Sequence, residues 1–273
     1  MLCLTARDRG VALFALAYLV GGCDTTAGDT NTEMPSKADD PDTSIVRLLK
    51  AGQPVFAIFS GEHTAEGGKA MAETRNTDFI FYSLESGPFD IPAMETYASA
   101  MAEASGDRGT HPILLRIPPI RDGHDEARER VAGGLRAGVA GIVYPHVENA
   151  QEAALAVSAL GDQAWPTNPD GHLVSILLLE DQVAIDNVRE IVATTGVSMV
   201  FPGPGDLRRA YEGDMERVEN AIQTVLTVCL ELDVPCGVTA GVGDIAERLE
   251  QGFRIIIVTQ PEALAAGMAA AQR

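Results

Sequence analysis

Aromatic and basic residues are both scarce in this chain. Aromatic residues make up 5% of the 273 residues, and 20 lysines and arginines face 39 aspartates and glutamates, for a formal net charge of -19. Such a surface opposes binding to nucleic-acid phosphates or to an anionic membrane through charge alone. A small anionic substrate would need local compensation from a metal or an arginine. The hydrophobic content of 46% is enough for one large domain with its own core.

Long hydrophobic runs are also few, and one of them lies near the N-terminus. Residues 11–20 are apolar, follow Arg7 and Arg9, and are too short to span a bilayer comfortably. Two glycines then precede Cys23, which resembles a bacterial lipobox. The pattern predicts a lipoprotein signal peptide over residues 1–22 and a lipid attached to Cys23, so that the protein contacts a cell-envelope membrane through its lipid only. The alternatives are a plain secretory signal, or a misassigned start codon before a cytoplasmic enzyme.

Residues 23–43 contain many Thr, Asp, Ser and Pro residues and almost no large apolar ones. Such a segment cannot bury enough apolar surface to fold. We therefore predict a flexible acidic tether here, followed by one folded domain over residues 44–273.

The chain has only four cysteines. Cys3 would leave with the signal peptide, and Cys23 would carry the lipid. Cys229 and Cys236 then remain in the folded domain, within a helical pattern and a strand pattern respectively. Buried free thiols are favoured over a disulfide at these positions.

From residue 55 onward, short apolar runs alternate with amphipathic segments of helical length. This pattern indicates successive βα units and a parallel sheet. Eight such units in about 220 residues predict an α/β fold of the (β/α)8 TIM-barrel type, with a doubly wound open sheet as the alternative. The predicted strands are Val55–Phe59, Asp78–Leu84, Pro112–Ile117, Gly141–Tyr144, Leu173–Leu179, Ser198–Phe201, Cys236–Val238 and Phe253–Val258, and the clearest helices are Ile91–Ala104, Asp125–Ala137, Asn149–Leu160 and Pro261–Ala271.

Two carboxylates follow neighbouring strands of this predicted barrel. Glu180 ends the apolar run over residues 173–179, and Asp206 follows the run over residues 199–201 within a Pro-Gly-Pro-Gly-Asp turn. Residues at the carboxyl ends of parallel strands line one mouth of a barrel. Two hard oxygen donors at that mouth suggest a divalent metal.

Four segments, in this order along the chain, resemble the HpcH/HpaI aldolase and citrate lyase β family. They are Leu-Glu-Ser-Gly-Pro-Phe-Asp at 84–90, Leu-Arg-Ile-Pro at 115–118, Gly-Ile-Val-Tyr-Pro-His-Val-Glu-Asn-Ala-Gln-Glu-Ala at 141–153 and Phe-Pro-Gly-Pro-Gly-Asp-Leu at 201–207. The similarity extends from about Val46 to the C-terminus. It implies a TIM barrel of the phosphoenolpyruvate/pyruvate type.

The resemblance also implies a carbon-carbon lyase for a 4-hydroxy-2-oxo acid. In such an aldolase a 2-oxo acid such as pyruvate chelates a divalent cation (Mg, Mn or Co) and is deprotonated to its enolate, and an aldehyde is the other partner. Glu180 and Asp206 match the family's metal ligands, and Arg116 matches its catalytic, substrate-binding arginine. The backbone around Gly203 and Gly205 is expected to bind the substrate carboxylate. Family members usually form oligomers, but a shortened connection over residues 161–172 leaves open whether this chain forms a homo-oligomer.

The sequence also departs from the family pattern after the second strand. The family has Asp-x-Glu-His there, with a histidine oriented by the aspartate as the acid-base group, whereas this chain has Ser83-Leu84-Glu85-Ser86. The resemblance therefore implies that serines replace both members of the dyad, and a serine hydroxyl cannot act as an imidazole does. Two further departures are Leu178, where a polar residue is frequent, and a short connection over residues 161–172.

Another histidine could take over the lost acid-base role. His63 follows the first strand and is the best candidate for a replacement catalytic base. We expect His146 to support its loop and His124, at a helix start, to be solvated. His111 and His172 precede strands and belong at the opposite end of the barrel.

Three hypotheses follow for the function. The first is the metal-dependent aldolase, and the second is a catalytically degenerate envelope lipoprotein that binds metal and 2-oxo acids without turnover. The third is related enolate chemistry on a CoA thioester, against which the acidic surface and the absence of a basic loop argue. Proton exchange of the pyruvate methyl group would separate the first two hypotheses.

Overall fold

A computed structural model describes residues 44–273, which form one compact unit. The predicted signal peptide, the predicted tether and Cys23 lie outside the described residues. Within the described part of the chain, no helix is long and apolar enough to cross a membrane.

Eight parallel strands form a nearly closed barrel, as the sequence predicts. Neighbouring strands pair in the order β6-β5-β4-β3-β2-β1-β8-β7, and a bridge between Val200 and Cys236 joins the β6 and β7 sides. Every predicted strand is present, with ends that shift by at most two residues. The strands are β1 Val55–Phe59, β2 Phe79–Ser83, β3 Ile113–Arg116, β4 Gly141–Tyr144, β5 Val174–Leu179, β6 Met199–Pro202, β7 Gly237–Thr239 and β8 Ile255–Val258.

Helices cover the outside of the barrel between the strands, and the four helices predicted from the sequence are among them. Several begin at a side-chain cap; for example, the Asn149 side chain accepts a hydrogen bond from the Glu152 N–H. The helices are α1 Ser44–Lys50, α2 Ala65–Met71, α3 Ile91–Ser105, α4 His124–Arg136, α5 Ala150–Ser158, α6 Gln182–Asp186, α7 Val188–Val192, α8 Pro204–Ala210, α9 Met215–Leu232, α10 Ile245–Gln251 and α11 Pro261–Ala270.

Side chains of each strand alternate between the barrel interior and the layer beneath the helices. The interior cluster includes Phe81 on β2, Leu114 on β3 and Leu178 on β5. Ile45 and Val46 of α1 join this same cluster and are 1% and 4% exposed. Because α1 precedes β1, it covers the amino-terminal end of the barrel, and the opposite mouth is left for a site.

Cys229 and Cys236 are buried free thiols, as predicted. Burial, together with the neighbouring Cys229 thiol, raises the pKa of Cys236. Such a thiol stays protonated near neutral pH and is a poor nucleophile.

Candidate active site

The inward-facing positions at the carboxyl ends of β2, β3 and β5 carry polar side chains. Ser83 and Arg116 end β2 and β3 and are register partners, and Glu180 directly follows β5. Each stands two residues beyond an interior apolar residue of its own strand, so strand alternation directs all three toward the mouth. The sequence criterion of an apolar run broken at its carboxyl end therefore selects residues that face this mouth.

Arg116 is held by three neighbours. Its Nε donates to Ser83 Oγ at 2.9 Å, and its Nη2 lies 3.0 Å from Glu85 Oε2. Its guanidinium carbon is 5.3 Å from the centre of the Phe81 ring, a cation-π contact. The Arg116 side chain is 21% exposed. The guanidinium is thus fixed in orientation while part of it still faces the mouth.

The Glu180 carboxyl is almost completely buried from solvent. The residue is 4% exposed, and its Oε2 accepts a hydrogen bond from the His146 N–H at 3.1 Å. Burial, followed by the charge of Asp206, raises the pKa of the Glu180 carboxyl to about 8. An ionised carboxylate at this position therefore needs a positive partner.

His146 lies between two of these acids. Its backbone is left-handed, with φ of 53°, which is uncommon for a residue other than glycine. Its Nδ1 is 3.7 Å from Glu180 Oε2, and its Nε2 is 3.9 Å from Glu85 Oε1. Both the backbone and the ring of His146 therefore belong to this site.

Asp206 lies in the first turn of α8 and is less enclosed than Glu180. Its side chain is 23% exposed and pairs with Arg209. Its charge contributes to the raised pKa of Glu180, so the two acids interact. Over residues 44–273, the group of three acids or histidines whose ligand atoms lie within 4.8 Å of one another is Glu85, His146 and Glu180, without Asp206.

The residues present fit a divalent cation. A buried carboxylate with a raised pKa, a second acid that interacts with it and a third close by form a set of hard oxygen donors with excess negative charge. Mg²⁺ and Mn²⁺ prefer such donors. A cation would offset the charge that burial otherwise disfavours on Glu180.

Gly203 allows the Glu180 side chain to occupy its position. A Cβ on Gly203 would lie 2.7 Å from both Cγ and Oε1 of Glu180. We therefore expect Gly203→Ala to displace the Glu180 carboxylate and to lower the free energy of unfolding by about 1–3 kcal/mol, the usual cost of overpacking. Chemical denaturation would measure the loss of stability. Calorimetric titration with Mn²⁺ would show whether displacement of the Glu180 carboxylate weakens metal binding.

Gly205→Ala is the matched control, because a Cβ on Gly205 would meet nothing within 4 Å. This variant should unfold at the same denaturant concentration as the wild type or slightly higher, since alanine favours a helix over glycine. Equal losses of stability and Mn²⁺ affinity in both variants would contradict the close-contact argument.

The raised pKa of Glu180 also makes the stability of the metal-free protein depend on pH. Between pH 4.5 and about 8 the folded chain keeps the Glu180 proton, whereas the unfolded chain releases it. Over this window Glu180 should lower the free energy of unfolding by up to about 1.4 kcal/mol for each unit of rising pH. Denaturation of wild type and Glu180→Gln at pH 6 and pH 8 with a chelator would isolate this contribution. Parallel slopes in the two proteins would refute it.

The histidines lie in different places. His63 follows β1 but stacks on the Tyr82 ring, with centroids 3.9 Å apart, and its Nε2 is 2.9 Å from Ser60 Oγ. Tyr82 faces outward on β2, opposite to Phe81 and Ser83, so these contacts do not bring His63 to Arg116 or Glu180. His124 is exposed at the start of α4, and His111 and His172 precede strands, as expected.

Glu85 is the site residue for which sequence reasoning assigned no role. It follows β2 by two residues, and its carboxylate contacts Arg116 and approaches the His146 ring. The available signal was the same one that selects Glu180, namely an acid just after a buried apolar strand.

Comparisons with known proteins agree with this architecture. Residues 71–256 match the family model described as HpcH/HpaI aldolase/citrate lyase, and the chain belongs to this family. A 5-keto-4-deoxy-D-glucarate aldolase from Klebsiella pneumoniae is 31% identical over 209 residues, covering 66% of this chain and 76% of the relative. A hydroxypyruvate/pyruvate aldolase from Paraburkholderia phytofirmans is 24% identical, covering 76% and 87%.

Solved structures share the fold. A HpcH/HpaI aldolase/citrate lyase family protein from Burkholderia cenocepacia has a TM-score of 0.69 at 23% identity and covers 84% of this chain and 98% of its own. The citrate lyase β subunit from M. tuberculosis, solved with oxaloacetate and magnesium, has a TM-score of 0.59 at 17% identity and covers 83% and 100%. At these identities the likeness establishes the barrel fold.

Proposed function

We propose that this domain is an aldolase that cleaves or forms a carbon-carbon bond in a 4-hydroxy-2-oxo acid through the enolate of pyruvate. The observation that carries the proposal is the buried Glu180 carboxylate, with its pKa raised to about 8, at the same mouth as the oriented Arg116 guanidinium. The names of the Klebsiella and Paraburkholderia relatives, both aldolases, support the reaction class.

Glu180 and Asp206 would hold a divalent cation at this mouth. When bound, Mg²⁺, Mn²⁺ or Co²⁺ supplies positive charge that offsets the negative charge developing on the 2-oxo acid. The magnesium and oxaloacetate of the M. tuberculosis citrate lyase β subunit support a cation of this kind in the family.

Arg116 would orient the 2-oxo acid and stabilise the oxygen that becomes negative. Its fork is fixed by Ser83 and Glu85, so little reorganisation is needed when charge develops. The backbone of Gly203 and Gly205, at the start of α8, would receive the substrate carboxylate. Gly203 lies directly against Glu180, and this contact supports the proposal that the metal and the substrate carboxylate bind next to each other.

Proton exchange tests the proposal without requiring the aldehyde to be known. The purified domain is incubated with pyruvate in deuterated water with Mg²⁺, Mn²⁺ or Co²⁺, and loss of the methyl proton signal is followed by NMR. We expect exchange that depends on the metal. Metal-dependent binding of pyruvate without exchange would instead support a catalytically degenerate binding protein, for which the serines at positions 83 and 86 argue.

The same assay compares the two histidines at this end of the barrel. His146 contacts the acids of the site, whereas His63 contacts Ser60 and Tyr82. We therefore expect His146→Gln to slow exchange about 10- to 100-fold, as is usual for groups that support a metal ligand. His63→Gln should slow exchange by a smaller factor than His146→Gln. The reverse order would favour His63 as the replacement base.

We also propose that the domain is held at a bacterial envelope membrane by a lipid on Cys23. This proposal is supported by the sequence around Cys23 alone. Metabolic labelling with a palmitate analogue should mark the wild-type protein and leave Cys23→Ser unlabelled.

Family members usually form oligomers, and light scattering of the purified domain would measure whether this chain does so.

A further inference from the structure

The loop between β4 and α5, residues 145–149, gives Glu180 its backbone hydrogen bond. The His146 N–H donates to Glu180 Oε2 at 3.1 Å, and the next N–H, of Val147, donates to the Leu178 carbonyl oxygen at 3.0 Å. These two bonds join the loop to β5 and to the acid that follows it. The orientation of the Glu180 carboxylate therefore depends on the position of this loop.

Glu148, near the end of the loop, is held by three neighbours. Its N–H donates to Glu152 Oε2 at 2.8 Å, and its carbonyl oxygen accepts a hydrogen bond from Asn187 Nδ2 at 2.9 Å. Its carboxylate pairs with the guanidinium of Arg121. The first two contacts come from the layer of helices outside the barrel, whereas Arg121 lies in the short turn Ile120–Asp122 that follows β3.

Arg121 also approaches the residue next to Glu180. Its Nη1 is 3.8 Å from Asp181 Oδ2, and the other Asp181 oxygen caps α6 by accepting the Ala184 N–H. The side chains of Arg121, Glu148 and Asp181 are 34%, 28% and 25% exposed, so water screens these pairs less than it screens fully exposed ones. One guanidinium thus joins the segments that follow β3, β4 and β5.

We propose that Arg121 is a positioning residue for the metal site, and that by joining these three segments it fixes the loop over residues 145–149 and the Glu180 carboxylate in the geometry that a divalent cation requires. The inference rests on the proposed function, which includes a cation held by Glu180. Arg121 acts through Glu148 and Asp181, each of which lies within two residues of a group that shapes the site. Loss of such indirect support around a metal ligand typically lowers metal affinity about 10- to 100-fold.

The sign of the change in Mn²⁺ affinity separates positioning from charge. Arg121→Gln removes a positive charge from the surroundings of a cation site, so electrostatics alone would make Mn²⁺ bind more tightly. A loop that is no longer fixed would make Mn²⁺ bind more weakly. We expect Arg121→Gln to bind Mn²⁺ about tenfold more weakly than wild type in calorimetric titration. Unchanged or tighter binding by the folded variant would overturn the inference.

Arg121→Lys should restore the affinity to within about threefold of wild type. The closest contact of Arg121 with each acid is made by the same nitrogen, Nη1, and a lysine ammonium is a point charge that suits such an arrangement. Binding as weak as that of Arg121→Gln would contradict the proposed role of the ion pairs. Arg128→Gln is the matched control, because Arg128 is 58% exposed on α4 and pairs only with Asp125, and it should bind Mn²⁺ as wild type does.

A loss of affinity must be measured on folded protein. Circular dichroism and chemical denaturation would show that each variant is folded at the temperature of the titration, and a purely structural role would lower stability without changing Mn²⁺ affinity. Arg121→Met, which keeps an unbranched stem, is the second variant if Arg121→Gln does not fold, and the same tenfold loss is expected of it.

Failure of the underlying function is distinguishable from failure of this inference. A wild-type protein that binds no Mn²⁺ and shows no metal-dependent exchange of pyruvate protons contradicts the proposed function itself. A wild-type protein that binds Mn²⁺ and exchanges these protons, together with an Arg121→Gln variant of unchanged Mn²⁺ affinity, contradicts the positioning role alone.

Discussion

Glu180→Gln is expected to weaken Mn²⁺ binding and pyruvate proton exchange by on the order of 1000-fold. The substitution keeps the size of the side chain but removes the anionic oxygen that a hard cation prefers. Loss of a supporting group around a metal ligand already costs about 10- to 100-fold, and loss of the ligand itself should cost more. Calorimetric titration with Mn²⁺ and the NMR exchange assay measure the two effects.

Glu180→Gln should lose Mn²⁺ affinity and exchange activity while the domain stays folded. Glu180 is buried with a pKa raised to about 8, so near neutral pH the metal-free wild type already holds a neutral side chain there. Glutamine is neutral as well, and its amide can accept the His146 N–H bond through its oxygen. Near neutral pH the metal-free variant should therefore unfold at a denaturant concentration equal to or above that of the wild type, because unfolding the wild type releases the Glu180 proton and unfolding the variant does not.

Glu231→Gln provides the matched control for Glu180. Glu231 is 49% exposed and pairs with Arg189 on the surface, an interaction that contributes little to stability. Its replacement should leave Mn²⁺ affinity and exchange within about twofold of wild type. Unchanged Mn²⁺ affinity in Glu180→Gln would remove the basis for the proposed metal site.

The strand positions could be predicted from the sequence because parallel strands buried on both faces are read as continuous apolar runs. The run at residues 173–179 is of this kind, and β5 covers Val174–Leu179. The same logic directs the residue after the run, Glu180, to the mouth. Both inferences depend only on the succession of apolar and polar residues along the chain, which can be read from the sequence.

The arrangement of groups around Glu180 could not be predicted in this way. The contact of His146 depends on a left-handed backbone at a residue other than glycine, and no local pattern signals it. The direction of His63 depends on which face of β2 presents Tyr82 and on packing against that ring. The positions of both side chains are set by tertiary contacts between different βα units. The sequence therefore predicts at which end of the barrel each histidine lies, but not which of them contacts Glu180.

Arg116→Lys is expected to lower kcat/KM for pyruvate exchange by about 100- to 1000-fold, the range found when one preorganised donor to a developing negative charge is removed. Lysine keeps the positive charge but lacks the planar fork, so it cannot contact Ser83 Oγ and Glu85 Oε2 with two nitrogens in the geometry of Arg116. The substrate would then meet a mobile point charge in place of a fixed donor. Initial exchange rates at varied pyruvate concentration give kcat and KM separately.

Retention of charge in this variant distinguishes orientation from simple attraction. Because lysine still neutralises the half-buried Glu85, that acid is not left unpaired, and Mn²⁺ affinity at Glu180 should stay within about threefold of wild type. Arg128→Lys, at a residue 58% exposed on α4 and paired with Asp125, is the control and should retain wild-type rates. If Arg116→Lys exchanged pyruvate as fast as Arg128→Lys, a positive charge alone would suffice at this position, and the fixed fork held by Ser83 and Glu85 would have no catalytic role.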